Sequence, residues 1–360
     1  MGISALGVAA ALAALAPAGA SAPAPPQADG LSPAQLAGQR VVFAYPGPRV
    51  PRALLRRVET GRAAGVIIFS RNVSSTAGLR RTLARLQSAA RRSPVKAPLL
   101  VMVDQEGGAV RRLPGGPSRS AAAVGATRRT GVARADGRAA GAALRAVGAN
   151  VDLAPVADVC RGGGALARER RCYGGRPATV TRMAGAFLDG LRSRGVAGAL
   201  KHFPGFGAAR VNTDNAPALI RSSRRTIRLV DERPFRALGP RAPMVMLSTA
   251  IYPAFSRLPA AFSRAIATGE LRGRLAFRGV TVTDALDTPA TTRYGGAGGV
   301  AVRAARAGVD IVLYGAGLGA GERAAAGLER ALRARKLRRA EFERSVERVL
   351  RLRARLSRGP

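Results

Sequence analysis

Short apolar runs recur along the chain, and each is followed by a stretch rich in Ala, Arg and Leu with apolar residues at helical spacing. The first four are "RVVFAYPG" (40–47), "GVIIFS" (65–70), "PLLVMVDQEGG" (98–108) and "GANVDLAPVADV" (148–159). Then come "VAGALKHFPG" (196–205), "APMVMLSTAIYP" (242–253), "RGVTVTDAL" (278–286) and "GVDIVLYG" (308–315). Between them lie helical stretches such as "TAGLRRTLARLQSAARR" and "ATVTRMAGAFLDGLRSRG". The apolar runs are continuous rather than alternating, as expected of strands covered on both faces in a parallel sheet. Eight strands alternating with helices over roughly 320 residues predict a (β/α)8 TIM-type barrel. A doubly wound open sheet is the runner-up, weakened because no GxGxxG or P-loop follows a strand. The C-terminal "LERALRARKLRRAEFERSVERVLRLRARL" reads as one or two helices capping the barrel. No internal repeat beyond the βα period and no second domain is evident, so 31–360 is expected to be one barrel domain.

The first thirty residues differ. An Ala/Leu run, the small residues Ala18-Gly19-Ala20 and a Pro-rich spacer read as an export signal and linker over 1–30, placing the protein outside the cell or at its envelope. The signal is atypical, because the first basic residue is Arg40. In an exported chain the only two cysteines, Cys160 and Cys172, are a candidate disulfide across a Gly/Arg-rich loop. They are too few for a metal site, and no metal or organic cofactor is expected.

Charge changes the picture less than its size implies. The formal net charge is +38, and 56 of the 59 basic residues are arginine, since only Lys96, Lys201 and Lys336 are lysine. The arginines are spread along the whole chain, interleaved with Ala and Gly, without any nucleic-acid motif. That pattern reads as a coding bias giving nonspecific attraction to anionic wall polymers, with no specific nucleic-acid partner. A monomer is expected.

The acids are the informative charges. In a barrel the active site lies just past the C-terminal ends of the strands. Asp104 and Glu106 follow the third run, Asp158 the fourth, and Asp284 and Asp287 the seventh. Lys201 and the only histidine, His202, end the fifth run, and Asp214 lies in the loop after it. Six of only 21 acids thus gather at one rim. Carboxylates among Lys, His and Arg suit a polyhydroxylated ligand, and two carboxylates at suitable separation suit cleavage of a glycosidic bond.

"LLVMVDQEGGAVRRL", "GANVDLAPVADV", "ERRCYGG", "LKHFPGFG", "VMLSTAIYP" and "GVTVTDALDTPA" occur in the order found in glycoside hydrolase family 3. The chain resembles the single-domain branch typified by bacterial β-N-acetylglucosaminidases. This resemblance implies a (β/α)8 barrel, a carbohydrate substrate, a retaining double displacement and no required cofactor. It implies sugar contacts for Asp104, Arg112, Arg171, Lys201 and His202, and the nucleophile's role for Asp284. In that branch a loop Asp-Ser/Thr-His triplet carries an acid/base histidine; here the triplet is Asn212-Thr213-Asp214, making Asp214 the candidate acid/base. Pro204 and Gly205 are expected to open a mobile loop, with 205–217 acting as a lid.

Three functions follow. The first is an exported retaining exo-glycosidase acting on terminal β-linked sugars, N-acetylglucosamine foremost, in cell-wall or other glycans. The second is a catalytically degenerate glycan-binding barrel, and the third a basic wall-associated scaffold.

Overall fold

The computed structural model describes residues 1, 2 and 28–357. The expected export signal falls mainly on residues 3–27, outside the described residues.

Ten strands form: β1 (Val41–Phe43), β2 (Gly65–Ile68), β3 (Leu100–Val103), β4 (Gln105–Gly107), β5 (Val110–Arg111), β6 (Val151–Asp152), β7 (Ala197–Phe203), β8 (Met244–Leu247), β9 (Val280–Ala285) and β10 (Ile311–Leu313). Eight of them close a parallel barrel in the order β1-β2-β3-β6-β7-β8-β9-β10, and Val41 pairs with Val312 across the seam. That closure excludes the open sheet. β4 and β5 form a separate antiparallel hairpin above β3.

The two-sided burial read from the apolar runs is visible residue by residue. Val42, Leu100, Met102, Ala197, Ala199, Met244, Met246, Val280 and Val282 pack together inside the barrel. Their strand neighbours Val41, Phe43, Val101, Val103, Leu200, Val245 and Leu247 belong to the separate cluster between the barrel and its helices. Successive side chains of a strand point to opposite faces, so both faces must be apolar.

Two runs are shorter as strands than as sequence. In "PLLVMVDQEGG" the chain leaves the barrel after Val103, and Gly107 and Gly108, at φ +104° and +58°, turn the hairpin. Only glycine adopts such angles without a Cβ penalty. In "GANVDLAPVADV" only Val151 and Asp152 join the ladder, and a lone bridge pairs Val156 with Lys201. Pro155 brings no N–H to that ladder.

The C-terminal helix Arg339–Ser357 caps the barrel from below, sending Val349 and Leu352 into the interior cluster. Arg353 is 1% exposed, and its guanidinium donates to the carbonyls of Pro98 and Ala97, each at 2.7 Å, and to Gln39. Among the described residues no helix is long and apolar enough to cross a membrane.

Candidate active site

Strand parity builds the site. Leu100 and Met102, Ala197 and Ala199, and Val280 and Val282 face the barrel interior. Two residues further along each strand, the same inward direction carries Asp104, Lys201 and Asp284. All three line a cavity of about 290 Å³ at the strands' C-terminal ends, floored by Ile67, Leu153, Met246 and Leu313. The register of β7 against β8 slips between Leu200 and Phe203, and the consecutive Lys201 and His202 both line this cavity. The peptide joining them is cis.

Beneath the cavity wall lies a buried ionic network. Lys201 Nζ donates to Asp104 Oδ1 at 2.7 Å and pairs with Glu106 Oε1 at 2.6 Å. Glu106 also receives Arg171 in bidentate fashion, both contacts at 2.8 Å. Burial by itself would raise the Glu106 carboxyl, but the Arg171 and Lys201 cations hold it well below the usual range. Burial likewise works against the Lys201 ammonium, yet Asp104 and Glu106 hold its pKa above the ordinary value. Asp152 is fully buried below this network, with Oδ1 accepting the Gln105 N–H at 3.0 Å and Oδ2 lacking a hydrogen-bond partner. Burial lifts its carboxyl to about 8, helped by Asp104 and Glu106 and opposed by the Gln105 hydrogen bond and Lys201.

Asp158 orients the histidine. It is fully buried and accepts His202 N at 3.1 Å, Phe206 N at 2.6 Å and His202 Nδ1 at 2.7 Å. An acceptor-only carboxylate there keeps the proton on Nδ1 and leaves Nε2 to serve a ligand.

Asp214 and Asp284 line the same cavity. More than a third of Asp214 remains accessible, so its loss of hydration is partial. That loss, followed by the negative charge of Asp284, still raises its carboxyl to about 6 against the opposing fields of His202 and Arg171. Asp284 Oδ1 accepts the Ala285 N–H at 2.8 Å.

The six rim acids therefore divide. Asp104, Asp214 and Asp284 line the cavity, while Glu106 holds Arg171 and Lys201 and Asp158 holds His202 from behind. Asp287 departs from the rim expectation: its carboxylate accepts the N–H groups of Gly315 at 2.9 Å and Ala316 at 2.7 Å, tying down the turn after β10. Arg112 lines the cavity, and its buried Nε has no hydrogen-bond partner. Among the described residues no group of three or more His, Cys, Asp or Glu is placed to hold a metal ion.

The loop 205–217 is laced down in this structure rather than hanging open. Arg161 N donates to Gly207 O at 3.0 Å, Ala165 N to Ala209 O at 2.7 Å, and Tyr252 Oη to Gly205 O at 3.0 Å. A Cβ on Gly207 would lie 2.0 Å from Val159 O, so this glycine serves close approach of backbones rather than mobility. Asp214 reaches the cavity without further closure. The strap that receives the loop is closed by the Cys160–Cys172 disulfide, whose Cα atoms are 6.0 Å apart.

Sequence reasoning missed Glu169. It accepts Arg171 Nη1 at 3.0 Å and Asn212 Nδ2 at 3.1 Å, joining the strap to the loop. In "RERR" it reads as one more surface charge, and nothing local marks it.

Comparison with known proteins agrees with this geometry. The model of the glycosyl hydrolase family 3 N-terminal domain matches residues 35–352. The chain belongs to glycosyl hydrolase family 3. It is 39% identical over 330 residues to an uncharacterized secreted glycosyl hydrolase of Arthroderma benhamiae, covering 89% of this chain and 93% of that protein. A family 3 β-N-acetylglucosaminidase from Paenibacillus superposes with a TM-score of 0.86 at 32% identity, covering 91% of this chain and 63% of that one. The β-N-acetylhexosaminidase of Beutenbergia cavernae superposes with a TM-score of 0.81 at 30% identity, over 89% of this chain and 98% of that one.

Proposed function

We propose that this family 3 chain is an exported, retaining exo-glycosidase that removes terminal β-linked N-acetylglucosamine, with Asp284 as nucleophile and Asp214 as acid/base. The observation that carries the reading is the pair of carboxylates in one cavity, with Asp214 lifted to about 6. A lifted acid can hold a proton while its partner stays ionised, which is the division of labour glycoside cleavage needs. Asp214 gives its proton to the glycosidic oxygen as Asp284 attacks the anomeric carbon, breaking the bond to the leaving group and forming a glycosyl ester. Water then attacks that carbon, Asp214 takes the water's proton, and Asp284 leaves as carboxylate, so configuration is retained.

The sugar's hydroxyls and acetamido group meet Asp104, Lys201, His202 and Arg171, each held by a buried partner, together with Arg112. Two named relatives act on N-acetylated β-sugars, which favours that substrate class, and the secreted Arthroderma relative favours export and work on wall or other external glycans.

The test compares Asp214→Asn with the parent on N-acetyl-β-glucosaminides of graded leaving groups. Loss of turnover should be severe for poor leaving groups and slight for activated phenols, which need little protonation. Equal loss for both kinds, or none, contradicts Asp214 as the acid. A parent without turnover on any β-glycoside reduces the barrel to a sugar-binding protein.

A further inference from the structure

The end of the barrel opposite the cleft concentrates positive charge that the fold leaves unbalanced. Asp310, fully buried just ahead of β10, accepts Arg272 Nη2 at 2.5 Å through one oxygen. Through the other it accepts Arg348 Nε at 3.1 Å and Nη2 at 2.7 Å. Arg40, 2% exposed, lies beside this group with its guanidinium 4.2 Å from the Phe342 ring centroid. It donates only to backbone, to Asp310 O at 2.9 Å and to Val309 O. Two guanidiniums thus share the one carboxylate and a third lies beside it on backbone carbonyls, an excess of two positive charges. Arg40 shows the cost: burial, with repulsion from Arg348 and Arg272, pushes its pKa down to about 10 despite the attraction of Asp310.

These side chains help line a cavity of about 480 Å³ against the C-terminal helix. Arg264, Arg306, Lys336, Arg338 and Arg344 complete eight cations around it. The one acid in its lining is Glu341, shared by Arg264 and Arg338 at 3.4 Å each. Among the described residues Arg306, Lys336 and Arg344 have no carboxylate partner. Arginine covers the whole surface of this chain, so charge alone would mean little. Here, however, the floor is largely sequestered, preoriented and short of negative charge, and the walls are concave. Burying uncompensated charge is costly, and an anion held by guanidinium forks offsets it. The forks match the oxygens of phosphate, and the volume lies within the roughly 300–1,000 Å³ of small-molecule sites.

We propose that this cavity, floored by Arg40, Arg272 and Arg348 at the base of the barrel, binds a multivalent phosphate group, either as a free pyrophosphate-type compound or as a repeat of a phosphate polymer.

The test is calorimetric titration of the full chain with pyrophosphate and, separately, with inorganic polyphosphate. It is run at about 0.15 M salt, where surface fields are screened beyond about 8 Å. The pocket variant is Arg306→Gln/Lys336→Gln/Arg344→Gln. The control, Arg80→Gln/Arg81→Gln/Arg85→Gln, removes the same charge from the exposed face of the helix Thr76–Arg92. All six residues are exposed, and circular-dichroism melting checks that both variants fold. The expected result is saturable binding that the pocket variant weakens at least about tenfold and the control less than about twofold. Saturation by pyrophosphate assigns the site to a free compound; saturation by polyphosphate alone assigns it to the polymer. Absence of saturable binding to both, or equal weakening by the two variants, overturns the proposal.

Discussion

Asn212 spans from Glu169 to the backbone of Asp214. Its Nδ2 donates to Glu169 Oε1 at 3.1 Å, and its Oδ1 accepts the Asp214 N–H at 3.0 Å. The second oxygen of Glu169 receives Arg171, so a cavity-lining arginine and the proposed acid share one anchor. Glu169→Ala should lower kcat about tenfold or more on substrates with poor leaving groups. KM should change little, because Glu106 still holds Arg171. Stability should fall by less than about 1 kcal/mol, as for an exposed ion pair. An unchanged kcat would show that the anchor does not position Asp214.

The disulfide braces the same strap. Closing a loop across 12 residues of separation contributes on the order of 3 kcal/mol in the chain-entropy account. Cys160→Ser/Cys172→Ser should lose about that much in denaturant unfolding and should raise KM through Arg171. Peptide mapping of the full chain, prepared without reductant, checks the bridge itself; two free thiols would exclude it.

Asp152 makes stability pH-dependent in an unusual direction. Its carboxyl is lifted to about 8 when folded, against about 3.9 in an unfolded chain. The folded state therefore keeps a proton that the unfolded state releases, and its contribution is fully present below about pH 4. That contribution is lost as pH rises through about 8. Asp152→Asn, which resembles the protonated form, should flatten the fall of Tm between pH 5 and 8 by removing this share. Parallel parent and variant profiles would mean that Asp152 is ionised throughout.

Asp104 tests the sugar subsite. It accepts Lys201 at 2.7 Å and lines the cavity just past β3. Asp104→Ala should weaken N-acetylglucosamine binding by about tenfold or more, the cost of losing charge-assisted hydrogen bonds, and should lower Tm as well, because the buried Lys201 keeps only Glu106 as carboxylate partner. Unchanged affinity in a ligand titration would remove Asp104 from the subsite.

Much of this was legible in the chain, for identifiable reasons. The barrel shows because strands buried on both faces must be apolar at every position, as Val41 through Phe43 and Leu100 through Val103 are. Asp104, Lys201 and Asp284 show because each interrupts such a run one layer above the core. Asp287 reads as a further rim acid beside Asp284, but it lies beyond β9, and only the fold reveals that it caps the turn at Gly315. Glu169 and the Arg40–Arg272–Arg348 cluster were not legible. Their partners lie far away in sequence, and in a chain so rich in arginine no local pattern singles them out. The glycines of 205–217 carry a second role that the chain does not reveal: they permit close backbone approach, as Gly207 against Val159 shows.

Covalent trapping tests the central claim most directly. The parent, incubated with a 5-fluoro N-acetyl-β-glucosaminyl fluoride and digested, should yield a glycosylated peptide containing Asp284, and Asp284→Ala should yield none. A label on Asp287 or another acid, or the absence of any adduct, would contradict a retaining mechanism through Asp284.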